Sequence, residues 1–327
     1  MSLDSKMQLV LEHYERLAPL PIETLSPENA RNMPTLKNAV EEMPSEHISA
    51  RLLTVAKPML EPVGKIEHIL IPSPEGDLLA RVYTPKGEGP FPLLLYFHGG
   101  GWVIAGLDTY ESSCRALCNA AKAVVVSVAY RQAPEYKYPA AVNDAYAALQ
   151  WLMVNAAAVN SDPARVVVCG ESAGANLATV ACLKAKSEQG LLPLGQLLIY
   201  PMTGASMDTL SYLENTETKP LYSAMMPWFF HHYLAQEEQR SDPFVAPLLA
   251  PDLGGLPPAL VITAEFDPLR DEGEAYAKRL TDAGIAVQCT RYEGVTHEFF
   301  GLSGVVGKAK DAVEEAAAWL RLRFNLD

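Results

Sequence analysis

Two short glycine-containing motifs hold the residues best suited to cleaving an acyl bond. Residues 170–174 read G-E-S-A-G, and Ser172 at their centre is a candidate nucleophile. Residues 98–102 read H-G-G-G-W, and backbone N–H groups of such glycines can stabilise the oxyanion that forms when a carbonyl is attacked. A glycine triplet also suits a flexible loop or a phosphate cradle, but no lysine-serine or lysine-threonine pair follows, which argues against a P-loop.

The patterns around each motif give it a position in a fold. Residues 166–169 are apolar and mostly β-branched, which predicts a buried parallel strand, and the proline-free residues 173–187 predict a helix. A strand, a sharp turn and a helix form the nucleophile elbow, which exposes a serine at the carboxyl end of its strand. Residues 93–97 predict a second strand, which runs directly into His98 and the glycines.

With these motifs the chain resembles the hormone-sensitive-lipase-like (bacterial family IV) esterases of the α/β-hydrolase superfamily. Four further segments match that family in order, namely residues 130–135 (Y-R-Q-A-P-E), 138–146 (Y-P-A-A-V-N-D-A-Y), 267–273 (D-P-L-R-D-E-G) and 296–300 (T-H-E-F-F). The resemblance covers about residues 66–324. The chain departs from the family at Glu171, Gln132 and Tyr136, where Asp, Leu and His are more usual, and no departure removes a reactive group.

The resemblance implies an α/β-hydrolase fold, with a mostly parallel eight-stranded sheet flanked by helices and a helical cap. The residue patterns agree, because strand-like and helix-like segments alternate along the chain. Strands are predicted at residues 66–71, 78–83, 93–97, 124–128, 165–169, 196–200, 260–264 and 287–292, and helices at 140–155, 173–187, 270–280 and 308–324. The first two strands, separated by a turn-forming stretch, predict an antiparallel hairpin at one edge.

Two segments interrupt the alternation and are predicted to be helical and amphipathic: the first cap segment (residues 1–63) and the second cap segment (residues 203–240). Residues 64–202 and 241–327 then form the catalytic α/β-hydrolase domain. By analogy with the family, the cap segments supply an acyl pocket, for which the candidates are Trp102, Met225, Trp228 and Phe229. Methionine and aromatic side chains favour a closed apolar pocket, and the family resemblance implies that the substrates carry short to medium acyl chains.

A serine hydroxyl needs an imidazole that takes its proton. Among seven histidines, His297 is the best candidate, because it follows the predicted strand 287–292 late in the chain. This position fits the Ser, acid, His order of α/β-hydrolases. His98 is better suited to fixing the shape of the glycine loop, and the other histidines are expected to be solvated or packed, namely His13, His47, His68, His231 and His232.

The acid that orients the imidazole must lie between Ser172 and His297 and follow a strand. Asp267 does so, since it comes just after the predicted strand 260–264. Asp271 is the alternative, but it begins a predicted helix, where a carboxylate usually interacts with the helix dipole. We therefore expect Asp267 to be the acid, as the family resemblance also implies.

These residues predict a serine carboxylesterase that acts through an acyl-enzyme, without a metal or an organic cofactor. The triad is Ser172, His297 and Asp267, and the predicted oxyanion donors are the N–H groups of Gly99, Gly100 and Ala173. An amidase or arylformamidase would use the same triad, so that alternative stays open. A non-catalytic small-ligand receptor is a third possibility, but the related plant gibberellin receptors lack the triad histidine that this chain has.

Composition sets limits on the partners. The chain has 327 residues, is 49% hydrophobic and carries a formal net charge of -13. Such acidity disfavours nucleic acids and anionic membrane surfaces, because both bind basic patches. Neither a signal-peptide core nor a run of about 20 apolar residues is visible, so we expect a cytoplasmic protein without membrane insertion. The strand at 287–292 could pair across a homodimer, as in relatives.

Overall fold

An eight-stranded sheet forms the centre of the computed structural model, which describes residues 2–43 and 60–326. The strand order is β1-β2-β4-β3-β5-β6-β7-β8. The strands are β1 (Lys65–Ile71), β2 (Leu78–Thr84), β3 (Phe91–Phe97), β4 (Val124–Val128), β5 (Ser161–Glu171), β6 (Gln196–Ile199), β7 (Ala259–Phe266) and β8 (Val287–Thr296). Strands β1 and β2 form the antiparallel hairpin, β2 is antiparallel to β4, and the strands from β4 to β8 run parallel. The predicted α/β-hydrolase sheet is confirmed.

Ten α-helices surround the sheet within the described residues. They are α1 (Ser5–Arg16), α2 (Pro27–Ala30), α3 (Leu36–Glu41), α4 (Glu111–Ala121), α5 (Ala140–Asn155), α6 (Ala173–Ser187), α7 (Leu210–Glu214), α8 (Met225–Tyr233), α9 (Arg270–Asp282) and α10 (Gly307–Arg323). None of these helices is long and apolar enough to cross a membrane. His47 and part of the first cap segment lie outside the described residues.

Strand β3 lies in the middle of the fold, and all of its residues are buried. Leu93, Leu95 and Phe97 pack in the same apolar cluster as α5 and α6, whereas Leu94 and Tyr96 pack in the cluster that contains α1, α4 and α10. Alternate side chains of a strand point to opposite faces, so helices cover both faces of the sheet. The carboxyl ends of the parallel strands remain at one edge, where a site can form.

Strand β8 is longer than predicted. It passes through Gly294, which has a positive φ of 78°, and ends at Thr296 instead of residue 292. The partner strand β7 shifts register between Ala264 and Phe266 opposite this region. In the sequence, a glycine at such an irregularity looks like the end of a strand, although the strand continues to pair with its neighbour beyond the glycine. His297 therefore follows the strand directly.

The two cap segments contact each other above the sheet. Trp228 in α8 donates a hydrogen bond from Nε1 to the Leu25 carbonyl at 3.1 Å, and Tyr222 donates to Glu23 at 2.7 Å. The helices in the second segment are short, since α7 has 5 residues and α8 has 9. Most of this segment is therefore held by contacts with other parts of the chain.

Gly174 allows α6 to lie against the end of β3. A Cβ at this position would be 2.0 Å from the Phe97 carbonyl oxygen and 2.5 Å from that of His98. Backbone atoms cannot move aside easily, so we expect Gly174→Ala to lower the free energy of unfolding by about 3 kcal/mol. Urea unfolding measures the change.

Gly307→Ala is the matched control, because Gly307 begins α10 with open space around it. This substitution should change the unfolding free energy by no more than about 1 kcal/mol. Equal unfolding midpoints for the two variants would contradict the close approach at Gly174.

Candidate active site

Ser172 occupies a strained turn between β5 and α6. Its backbone has a φ of 58° and a ψ of -121°, in a region that residues with a Cβ rarely adopt. The turn is tight enough that a Cβ at Gly170 would lie 2.1 Å from the Gly174 carbonyl oxygen. This geometry is that of a nucleophile elbow, and it places the serine at the carboxyl end of its strand.

The structure brings the predicted serine, histidine and aspartate into one hydrogen-bonded group. His297 Nε2 lies 2.9 Å from Ser172 Oγ, and His297 Nδ1 lies 2.6 Å from Asp267 Oδ2. Asp267 follows β7, is fully buried, and accepts a second hydrogen bond on Oδ1 from the Leu269 N–H at 2.8 Å. The carboxylate is thus fixed by the backbone on one side and faces the imidazole with the other.

Asp271, the alternative acid, faces the second cap segment instead of His297. Its Oδ2 accepts a hydrogen bond from the Ser211 N–H at 2.8 Å, near the start of α7. Arg270 also contacts Asp271, at 2.9 Å. The two aspartates therefore have different partners although they are close in the sequence.

The buried surroundings shift the pKa values of two histidines in opposite directions. Burial alone would lower the pKa of His297, but the charge and hydrogen bond of Asp267, aided by Glu298 and Glu171, raise it above its ordinary value. Burial lowers the pKa of His98 to about 4, although the hydrogen bond from its Nδ1 to the Gly99 carbonyl at 2.7 Å opposes the shift. His98 is thus neutral and supports the glycine loop.

The glycine loop presents Gly100 and Gly101 to the serine. Both have positive φ values, of 100° and 57°, and both line the same cavity as Ser172 and Ala173. No backbone carbonyl within the described residues accepts a hydrogen bond from the N–H groups of Gly100, Gly101 or Ala173. These three N–H groups can therefore serve an anion in the cavity.

Gly99, which was predicted as a donor, does not line this cavity. Its Cα packs against Tyr110 and the end of β5, where a Cβ would lie 2.3 Å from the Tyr110 hydroxyl oxygen. The loop turns after this residue, so the second and third glycines face Ser172. The sequence showed three equivalent glycines and could not indicate which two would face the serine.

The cavity beside Ser172 has a volume of about 110 Å³ and opens to solvent. Ser172 and His297 lie in its wall. The first cap segment contributes Tyr14, Ile22, Ala30, Arg31, Met33, Pro34 and Thr35, and the second contributes Pro220, Leu221, Met225, Met226 and Phe229. Both predicted cap segments therefore border the site.

Three of the four predicted pocket residues, Trp102, Met225 and Phe229, line the cavity, whereas Trp228 does not. The Trp228 ring packs behind Phe229, with the ring centroids 5.3 Å apart, and its Nε1 is used to join the cap segments. Successive residues of a helix point in different directions, so neighbours in α8 cannot all face one cavity. The aromatic run in the sequence did not show which residues point inward.

Glu171 forms a buried hydrogen-bonded group next to Ser172. It accepts hydrogen bonds from the Tyr96 hydroxyl at 2.5 Å and from the Tyr200 hydroxyl. Burial raises the pKa of Glu171, and the two tyrosine hydrogen bonds oppose the shift. The Tyr200 ring also lies 4.5 Å from the His297 ring between centroids. Glu171 therefore joins the ends of three adjacent strands beneath the histidine.

Glu298 is a cavity residue that was not predicted from the sequence. It follows His297 directly, has a φ of 64°, and accepts a hydrogen bond from the Tyr110 hydroxyl at 3.1 Å. Burial raises the pKa of Glu298, and the nearby His297 opposes the shift. Its position directly after the candidate histidine was the one feature of the sequence that could have indicated it as a cavity residue.

In the described part of the chain, no group of three or more His, Cys, Asp or Glu residues could hold a metal ion.

Comparison with known proteins places this site in a family. A family model described as an alpha/beta hydrolase fold matches residues 94–301. The carboxylic ester hydrolase LipN of Mycobacterium tuberculosis is 42% identical over 80% of this chain and 71% of its own length. The ethyl acetate hydrolase of Pseudomonas putida is 36% identical over 72% of this chain and 76% of its own.

A similar solved structure is the hyperthermophilic esterase from Pyrobaculum calidifontis. It has a TM-score of 0.87 and 35% identity, covering 98% of this chain and 99% of that one. The fold and the Ser-His-Asp group define an α/β-hydrolase. The chain belongs to the hormone-sensitive-lipase-like branch of this family, and the similar proteins named here are ester hydrolases.

The imidazole of His297 should titrate with a midpoint above 6.5, because Asp267 stabilises its protonated form. Asp267→Asn removes this charge while the burial that lowers the pKa remains, so the midpoint should fall. An NMR titration of the ring protons measures both values. His98 is an internal reference that should stay neutral down to about pH 4. A wild-type midpoint at or below 6.5 would show that burial outweighs the aspartate.

Proposed function

We propose that this carboxylic ester hydrolase is a serine carboxylesterase that acts through an acyl-enzyme on esters of short to medium acyl chains. The observation that carries the proposal is the continuous hydrogen-bonded series from Ser172 through His297 to Asp267, which opens into a cavity. The ester hydrolases among the similar proteins support the same reaction class.

In the proposed acylation step, Ser172 Oγ attacks the ester carbonyl while His297 Nε2 accepts the hydroxyl proton. Asp267 stabilises the imidazolium that results, and the imidazolium then protonates the departing alcohol. In deacylation, His297 takes a proton from water as the water oxygen attacks the acyl carbon. The bond from that carbon to Ser172 Oγ then breaks, the imidazolium returns its proton to Oγ, and the carboxylic acid leaves. The raised pKa of His297 favours the imidazolium form that both steps require.

The N–H groups of Gly100, Gly101 and Ala173 are the proposed oxyanion donors. This set replaces Gly99 with Gly101, because Gly101 borders the cavity and Gly99 does not. Loss of one such donor typically removes about 3 kcal/mol of transition-state stabilisation. The shape of the glycine loop is therefore as important to the proposed reaction as the nucleophile.

The walls of the cavity support a limit on acyl length. The Phe229 ring touches the glycine loop, since a Cβ at Gly101 would lie 2.1 Å from Phe229 Cδ1. An apolar acyl chain gains about 0.8 kcal/mol for each buried methylene until it reaches a wall. We propose that affinity rises through short chains and that chains longer than the cavity, such as those of long triglycerides, are poor substrates.

Ser172→Ala should abolish both labelling by a fluorophosphonate probe and hydrolysis of p-nitrophenyl butyrate. The probe reacts with an activated serine, and alanine has no oxygen that could attack. Mass spectrometry of the labelled protein identifies the modified residue. A Ser172→Ala protein with wild-type turnover would show that another residue is the nucleophile.

Asp267→Asn and Asp271→Asn should have very different effects on turnover. The first leaves His297 without its carboxylate and should lower kcat by about 10⁴-fold, as for other triads. The second removes charge from the contacts with Ser211 and Arg270, neither of which involves His297, so kcat should stay within about 3-fold of wild type. Steady-state kinetics with p-nitrophenyl butyrate compare the two, and a reversed order would exchange their roles.

A further inference from the structure

The short segment that holds Asp267 also holds the second cap segment. Between β7 and α9, the Pro268 carbonyl accepts a hydrogen bond from Ser211 Oγ at 2.7 Å, and in the first turn of α9 Asp271 accepts one from the Ser211 N–H. Arg270 forms an ion pair with Glu214 at 2.8 Å. One connection of the catalytic domain therefore contacts both the histidine and the cap.

Glu272 makes the most buried of these contacts, with an exposed fraction of 2%. Its Oε1 accepts hydrogen bonds from the Thr203 N–H at 2.6 Å and the Gly204 N–H at 3.0 Å, and its Oε2 accepts from the Tyr212 hydroxyl at 3.4 Å. Thr203 Oγ1 also donates to the Glu272 carbonyl at 2.8 Å. Three of these four hydrogen bonds attach the start of the second cap segment to α9, and the fourth attaches Tyr212 of the same segment.

Burying a carboxylate at this position has a large desolvation cost. Burial raises the pKa of Glu272 to about 7, and the charge of Asp267 adds to the shift, while the N–H groups of Gly204 and Thr203 oppose it. An apolar side chain of similar size would avoid the desolvation cost. An apolar side chain could not accept hydrogen bonds from the Thr203 and Gly204 N–H groups, however, and these groups would then be buried without partners.

We propose that Glu272 is a positioning residue that fixes the cap wall of the cavity relative to Asp267 and His297, and thereby sets acyl-chain selectivity. The proposal rests on the carboxylesterase function proposed above. Met225 and Phe229 line the cavity and belong to the segment that begins at Thr203. If this segment is held less firmly at Thr203, the part of the cavity wall that these two residues form can shift. A long acyl chain needs the wall for binding, whereas an acetyl group needs the triad and the glycine loop.

The test compares Glu272→Met, which removes the acceptor, with Glu272→Gln, which keeps a carbonyl oxygen. For Glu272→Met, KM for p-nitrophenyl hexanoate should rise about 10-fold, the effect of one or two lost buried hydrogen bonds, while KM for p-nitrophenyl acetate stays within about 3-fold. Glu272→Gln should keep the hexanoate-to-acetate ratio of kcat/KM within about 2-fold of wild type, because its oxygen can still accept from Thr203 and Gly204.

Glu274→Gln is the matched control on the same helix. Glu274 binds Thr263 and Arg291 instead of the cap, so this variant should leave both KM values unchanged. Thr203→Val provides a second probe in case Glu272→Met fails to fold. It removes only the hydrogen bond from the Thr203 hydroxyl to the Glu272 main-chain carbonyl, which joins the same two segments, and it should shift the hexanoate-to-acetate ratio in the same direction by about 3-fold.

The outcomes separate this proposal from the one on which it rests. If the wild-type protein hydrolyses neither ester and the fluorophosphonate leaves Ser172 unlabelled, both proposals are wrong. If the wild type is active and labelled but Glu272→Met or, failing that, Thr203→Val keeps the wild-type ratio, the anchoring role of Glu272 alone is wrong. A fall in the ratio that Glu272→Gln does not show supports the anchor.

Discussion

The left-handed backbone turn at Ser172 is the constraint on which the site depends. The turn directs the hydroxyl toward His297 only if no side chain fills the space at positions 170 and 174. The absence of a Cβ at Gly174 also lets α6 reach the carbonyl groups where β3 ends and the glycine loop begins. One close approach therefore sets both the direction of the nucleophile and its distance from Gly100 and Gly101. The contacts around the turn must offset the strain of about 1–3 kcal/mol expected for such a conformation.

The surroundings of the histidine are acidic well beyond its hydrogen-bonded partner. Glu298 and Glu171 both raise the pKa of His297 together with Asp267, while burial raises the pKa of each glutamate. Tyr110 and Tyr96 donate hydrogen bonds to these carboxylates and so hold them in place. The negative potential favours a positive charge on the imidazole, which is where charge develops in the proposed reaction.

The sequence predicted the sheet, the elbow and the three members of the Ser-His-Asp group because each depends on a local pattern. Apolar runs of 4 to 8 residues mark buried strands, and the turn residues between them mark their ends. The direction in which a residue points was not visible in these local patterns. Trp228 lies in the predicted aromatic run but turns toward the first cap segment, and Gly101 faces the cavity instead of Gly99. The roles of Glu272 and Glu298 depend on contacts between distant segments, which no single stretch of sequence records.

The separation of Ser172 from His297 by 125 positions has a consequence for biosynthesis. At a synthesis rate of about 5–20 residues per second, roughly 6 to 25 s pass between the emergence of the serine and that of the histidine. A serine without a base is a poor nucleophile, so under the proposed mechanism a nascent chain that ends before His297 would not attack esters. Strand β8, which leads into His297, is the last strand in the described part of the chain and lies at the edge of the sheet. Under that mechanism, activity therefore requires that this edge strand has joined its neighbours.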